Sequence, residues 1–136
     1  MKKLIASLFL IFAYISSAQA GYEEETCINS SNPEACRIAG IKYLKGYGVR
    51  QSESKGLKYL GMACNSGDVV ACVRLGNYLA PRIADIAPGR RSRDEAIDAY
   101  GKGCDLGWQP ACDAYAKLNS GALFYGNVRT PSESAH

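Results

Sequence analysis

Histidine is nearly missing from this chain: the single one is His136, the last residue. Without an internal imidazole, a cysteine or serine nucleophile has no histidine to act as its base. No Cys-x-x-Cys occurs either, so the cysteines lack the spacing of a tetrahedral zinc site. The reading therefore expects no catalytic residue, no metal and no cofactor. Long apolar runs are equally scarce, with one near the start, Leu4 to Ile15, and no second one after it. Charge of one sign is absent too: once Lys2 and Lys3 are set aside, 14 basic residues face 13 acidic ones. A nearly neutral chain lacks the field of a dedicated nucleic-acid binder, so its partners are not chosen by net charge.

What is present begins with the first 20 residues. A basic start, the short apolar run and Ser17-Ala-Gln-Ala20 before Gly21 form the pattern of a secretory signal peptide cut after Ala20. The run is short of the roughly 20 residues a membrane-spanning helix needs. No cysteine comes directly after the cleavage site, where Gly21 stands, which argues against a lipid anchor. The expected product is an exported protein, periplasmic or secreted, with no transmembrane segment in the mature chain.

Six cysteines in an exported chain read as a disulfide framework. Their arrangement repeats: Cys64-Asn-Ser-Gly-Asp-Val-Val-Ala-Cys72 matches Cys104-Asp-Leu-Gly-Trp-Gln-Pro-Ala-Cys112, and Cys27 to Cys36 is one residue longer. The repetition selects Cys27–Cys36, Cys64–Cys72 and Cys104–Cys112. Each closed loop of about nine residues stabilises by roughly 2.6 kcal/mol on the chain-entropy estimate. For a small domain with a limited core that is a large share of the total.

Local signals place five helices. Asn32 caps a helix from about Pro33 to Lys45, ended by Gly46 and Gly48. Ser52 caps a second, to about Ser66, and Asp68 a third, to about Ala80, stopped by Pro81. Ser92-Arg-Asp-Glu95 has the form of a capping box for a fourth helix through about Asp105. Pro110 opens a fifth, reaching about Leu118. The acidic stretch Tyr22 to Glu25 reads as a mobile lead, and Trp108 as packing on the third clip. The tail from Tyr125 resembles the stretch beginning at Tyr47, like a repeat that starts and is not completed; it is expected to be partly ordered and to fray toward His136.

Aligned on the second cysteine of each clip, the period is 36 residues and then 40. Gly40 and Gly76 coincide, with Ala116 third, and Gly61 coincides with Gly101. Glycine inside a helix costs about 1 kcal/mol relative to alanine, so its reuse at fixed positions predicts close helix packing. Each clip then staples an αα-hairpin at its narrow end. Stacked hairpins give the expected fold: all-α, a short right-handed solenoid with one disulfide per hairpin. The domain reading is 1–20 signal peptide, 21–121 repeat domain and 122–136 partial repeat or tail.

Ala71-Cys72-Val-Arg-Leu75-Gly76-Asn-Tyr78, Gly46-Tyr-Gly48-Val49 and the Cys-x7-Cys clips resemble the Sel-one-like repeats, a tetratricopeptide-like family, in the disulfide-clipped form of the Helicobacter cysteine-rich proteins. The resemblance implies a solenoid that binds protein or peptide partners. It also implies two jobs in the cell envelope, an adaptor or an immunity-type inhibitor of a toxic effector. Some clipped members are described as penicillin-binding or weakly β-lactamase-like, and Ser52-Glu-Ser-Lys55 does match Ser-x-x-Lys. Neither Ser-Asp-Asn nor Lys-Thr-Gly follows, and Ser52 reads more simply as a helix cap.

Function is therefore sought on surfaces. The inner face of a helical array presents Arg37, Ile41, Arg74, Asn77, Tyr78, Asp113 and Lys117 as candidate partner-binding residues. A second candidate is the insertion that lengthens the period, where Arg82, Arg90, Arg91 and Arg93 flank Ile83 and Ile86 as a basic loop suited to an acidic protein or lipid head groups.

Overall fold

A computed structural model describes residues 21–80, 90–121 and 128–134. The expected signal peptide, and Arg82, Ile83 and Ile86 of the expected basic loop, lie outside the described residues. Every regular element within them is helical: α1 (21–30), α2 (Pro33–Lys45), α3 (Glu53–Asn65), α4 (Val69–Leu79), α5 (Arg90–Asp105), α6 (Gln109–Asn119) and the single turn α7 (Pro131–Ser134). No helix among them is long and apolar enough to cross a membrane.

The helix starts follow the caps. Asn32 Oδ1 accepts from the Ala35 amide at 2.9 Å, Ser52 Oγ from Lys55 at 3.3 Å, and Asp68 Oδ1 from Ala71 at 2.9 Å. Each satisfies a donor that the first turn leaves without a partner. Two boundaries differ from expectation. Helix α5 begins at Arg90, so Ser92 lies inside it rather than capping it. The acidic lead is also no lead: 21–30 is helical, and Ser31 then turns the chain at φ 51°.

That first helix makes the clips equivalent. Cys27 of α1 bonds Cys36 of α2, Cys64 of α3 bonds Cys72 of α4, and Cys104 of α5 bonds Cys112 of α6, each with Cα atoms 4.6 Å apart. In the second and third, the chain reverses through Gly67 (φ 92°) and Gly107 (φ 89°). Both angles lie in the left-handed region, where a side chain is strained.

Neighbouring helices pack on one another from α2 to α6, and α3 also touches α5. The interior falls into two clusters. Tyr43, Tyr59, Leu60 and the Cys27–Cys36 clip centre the first; Val73, Tyr100, Ala111, Leu118 and Val128 centre the second. Close approach explains some glycines and not others. A Cβ on Gly40 would stand 2.9 Å from Leu60 Cγ and 3.0 Å from backbone atoms of α3, and one on Gly76 would stand 2.7 Å from the Tyr100 ring. At Gly61 a Cβ meets nothing within 4 Å, so packing does not require glycine there. The tightest position is one that the repeat alignment passed over: a Cβ on Gly56 would come within 2.5 Å of Leu44.

Candidate functional site

Two polar constellations reach across the array. The first is built on Tyr43 of α2 and Tyr59 of α3, whose rings stack 5.7 Å apart. Both hydroxyls donate to the Glu24 carboxylate of α1, and the Lys55 ammonium lies 3.4 Å from Glu24 Oε1 and 3.1 Å from Tyr43 Oη. Beside it, Lys42 pairs with Glu23 at 2.8 Å. The Tyr43 and Tyr59 hydroxyls hold the Glu24 carboxyl below its ordinary value, with Lys55 adding to the effect. Burial, and then the adjacent Glu24, push the Tyr59 phenol up to about 12. This cluster docks the first helix. The sequence shows Glu23 to Glu25 plainly, but not that Glu24 meets two tyrosines 19 and 35 residues away.

The cluster also engages the Ser-x-x-Lys pair. Ser52 Oγ is used by the Lys55 amide as a helix cap, while the Lys55 ammonium turns to Glu24 and Tyr43. Both polar groups of the pair are thereby engaged in contacts of the fold. Among the described residues, no group of three or more His, Cys, Asp or Glu side chains is arranged to hold a metal ion.

The second constellation lies on α4. Asn77 accepts from the Tyr100 hydroxyl at 2.7 Å and from the Val128 amide at 2.8 Å through Oδ1, and its Nδ2 donates to the Val128 carbonyl at 2.8 Å. One side-chain amide thus bonds both backbone groups of a single residue, as a neighbouring strand would. Next to it, the Trp108 indole donates to the Arg129 carbonyl at 2.7 Å. Val128 and Thr130 are buried while Arg129 between them is exposed, the alternation of an extended segment. The tail that was expected to be partly ordered is seated against α4 over 128–130, and α7 follows it. Trp108 also precedes α6 as an N-cap without a side-chain cap bond.

Between α2, α4 and this segment runs a groove of about 510 Å³, lined by Ile41, Leu44, Lys45, Leu60, Arg74, Asn77, Tyr78 and residues 128–130. Among the described residues, three cations line it (Lys45, Arg74, Arg129) and no carboxylate does. The Arg74 Nε is buried without a hydrogen-bond acceptor among the described residues. At the margin, the Tyr78 hydroxyl bonds Glu53 at 3.1 Å.

Of the seven candidate residues, Ile41, Arg74, Asn77 and Tyr78 come together in the groove. The other three do not line it. Arg37 donates from Nε to Asp68 at 2.7 Å, tying α2 to the carboxylate that caps α4, so its side chain is structural. Asp113 accepts from Gln109 at 3.1 Å on α6, and Lys117 is exposed further along the same helix. From the basic insertion, Arg93 donates to the Leu118 carbonyl and so ties α5 to the end of α6 instead of standing free in a loop. Reasoning from sequence missed Lys45, Leu44 and the tail itself. The Val-x-Thr alternation was the available signal for the tail.

No protein-family model matches this sequence, and comparison with curated proteins gives no match either.

Proposed function

We propose that this chain is an exported, non-enzymatic helical-repeat protein of the Sel-one-like type, a short right-handed solenoid whose inner face binds another protein in the cell envelope. One observation carries the reading: four of the residues expected on that face, Ile41, Arg74, Asn77 and Tyr78, line one groove, walled by an extended segment of polypeptide. A groove walled by one extended segment, beside an Asn77 that bonds that segment's backbone, has the shape and hydrogen-bonding groups for peptide recognition. Three disulfides fit an oxidising compartment outside the cytoplasm, and the expected signal peptide fits export to the periplasm. Adaptor and immunity-type inhibitor are the two jobs consistent with such a surface.

Affinity capture from the native envelope, with disulfides intact, tests the reading. The wild-type chain is expected to retain a defined partner, and Arg74→Glu combined with Tyr78→Ala to lose it while keeping helical content. Undiminished capture by that double variant would remove the groove from the account. Nitrocefin turnover that disappears in Ser52→Ala would favour the β-lactam alternative over protein binding.

A further inference from the structure

The segment that walls the groove is held in a way that leaves its identity open. Three hydrogen bonds reach backbone atoms of Val128 and Arg129, from Asn77 and Trp108, and none of these reads a side chain. Side-chain selection rests on the two buried positions, Val128 and Thr130, both β-branched and two residues apart. The residue between them is mismatched. Arg129 adds a third cation to a groove that already carries Lys45 and Arg74, and Arg74 Nε is left without an acceptor among the described residues. Like charges in one groove repel, and a buried donor without a partner costs free energy. The segment therefore fits by shape and backbone but not by charge.

We infer that residues 128–130 occupy a strand-binding site from within, and that the partner taking their place is an extended segment with β-branched residues at alternate positions and a carboxylate directed at Arg74 and Lys45. Asn77 offers the newcomer the same pair of backbone bonds, and Trp108 the same indole donor. The carboxylate supplies what Arg129 cannot. Because the resident segment belongs to the same chain, its effective concentration is high, on the order of millimolar. Competing segments are held to weak binding unless the charge match, or further contacts, favour them.

The inference rests on the protein-binding reading, and its test uses the full mature chain. Two synthetic peptides serve as probes: one with the sequence of residues 128–136, the other the same with Arg129→Glu. They are titrated into the native chain and into full-length Val128→Gly/Thr130→Gly, in which the resident segment is weakened. Peptide anisotropy reports binding, and Trp108, the chain's one tryptophan, reports whether the segment beside it is exchanged. The Arg129→Glu peptide is expected to bind about fivefold tighter than the native sequence, a preference that Arg74→Ala abolishes. Both peptides are expected to bind the weakened-tail chain about tenfold tighter than the native one. Circular dichroism on each variant separates loss of fold from loss of binding. Should the double-glycine variant not fold, the native chain still decides the matter: a saturating Arg129→Glu peptide that leaves Trp108 emission unchanged overturns the inference. Equal affinities for the two peptides, or for the two folded proteins, would also overturn it. An envelope partner captured by the wild-type chain but not displaced by the peptide would refute this inference and leave the protein-binding reading standing.

Discussion

The helical array fastens a flanking segment on each side through a buried tyrosine, but the two sides do it with different chemistry. At the amino end, Tyr43 and Tyr59 hold the side chain of Glu24, and the Cys27–Cys36 disulfide ties the same helix covalently. At the carboxyl end, Tyr100 orients Asn77, and Asn77 holds the backbone of Val128. The first attachment requires a carboxylate at one position and a crosslink. The second requires only an extended backbone with suitable small side chains. A segment held by its own side-chain chemistry is part of the fold, whereas one held by backbone bonds is exchangeable in principle, and the groove lies at the exchangeable end.

Breaking the carboxyl-terminal attachment at its root has the largest expected effect. Tyr100 is fully buried, and its ring fills the space that Gly76 leaves open. Tyr100→Ala is expected to destabilise by about 3–5 kcal/mol, readable as a lowered midpoint in chemical denaturation. Trp108 emission should shift at the same time, because the segment at Arg129 loses its support. A change in stability with no change in Trp108 would separate the core from the tail and weaken the comparison.

Removing a clip comes next. Cys64→Ala with Cys72→Ala is expected to cost about 2–3 kcal/mol by the loop-entropy estimate, and thermal melting checks it. The corresponding double substitution at Cys27 and Cys36 sharpens the contrast between the two ends. It should release α1 from its covalent fastening while the Glu24 cluster and the Lys42–Glu23 pair remain, which limited proteolysis at 21–30 can detect.

Hydroxyl deletions probe the two tyrosine attachments at a smaller scale. Tyr100→Phe keeps the ring and removes the bond to Asn77, for an expected loss of about 1 kcal/mol. Tyr59→Phe removes one of the two hydroxyls on Glu24, with a similar loss expected. Only the former should alter Trp108 emission. If both variants shift it, the two ends are coupled through the helices between them.

The smallest effect is a difference in pH dependence. Glu24 has a lowered pKa in the folded protein, chiefly because the Tyr43 and Tyr59 hydroxyls favour its charged form. Its contribution is therefore fully present above the ordinary carboxylate value of 4.5 and is lost as the pH falls through the lowered folded value. Melting curves from neutral pH down to acid should show a loss that flattens in Glu24→Gln, which costs about 1 kcal/mol or less at neutral pH. The Asn77 attachment contains no titrating group in that range, so Tyr100→Phe should leave the acid slope as it is. Equal flattening by both variants would erase the chemical distinction.

Much of the fold was legible because its determinants are local. Asn32, Ser52 and Asp68 cap helices within three residues of themselves, and each clip spans eight or nine residues. Helix α5 escaped that logic: Ser92 has the form of a cap, yet the helix runs from Arg90, so the motif did not set the boundary. The glycine alignment worked where a partner helix approaches, at Gly40 and Gly76, and failed at Gly61, where nothing does. Periodicity shows which positions are equivalent in a repeat. It does not show what stands opposite each of them.

The candidate site divides along the same line. By itself, the sequence determined helices α2, α3, α4 and α6, the disulfide pairing and the face on which Ile41, Arg74, Asn77 and Tyr78 lie together, since these follow from spacings of a few residues. Only the tertiary structure decided that Arg37 belongs to Asp68, that Glu24 belongs to Tyr43 and Tyr59, and that Asn77 belongs to Val128, 51 residues away. Such pairings depend on which segments the packed helices bring within about 3 Å of one another, and hydrogen bonds act only at that range. A local pattern encodes the helix. The choice of polar partner across the array is settled when the helices close on one another.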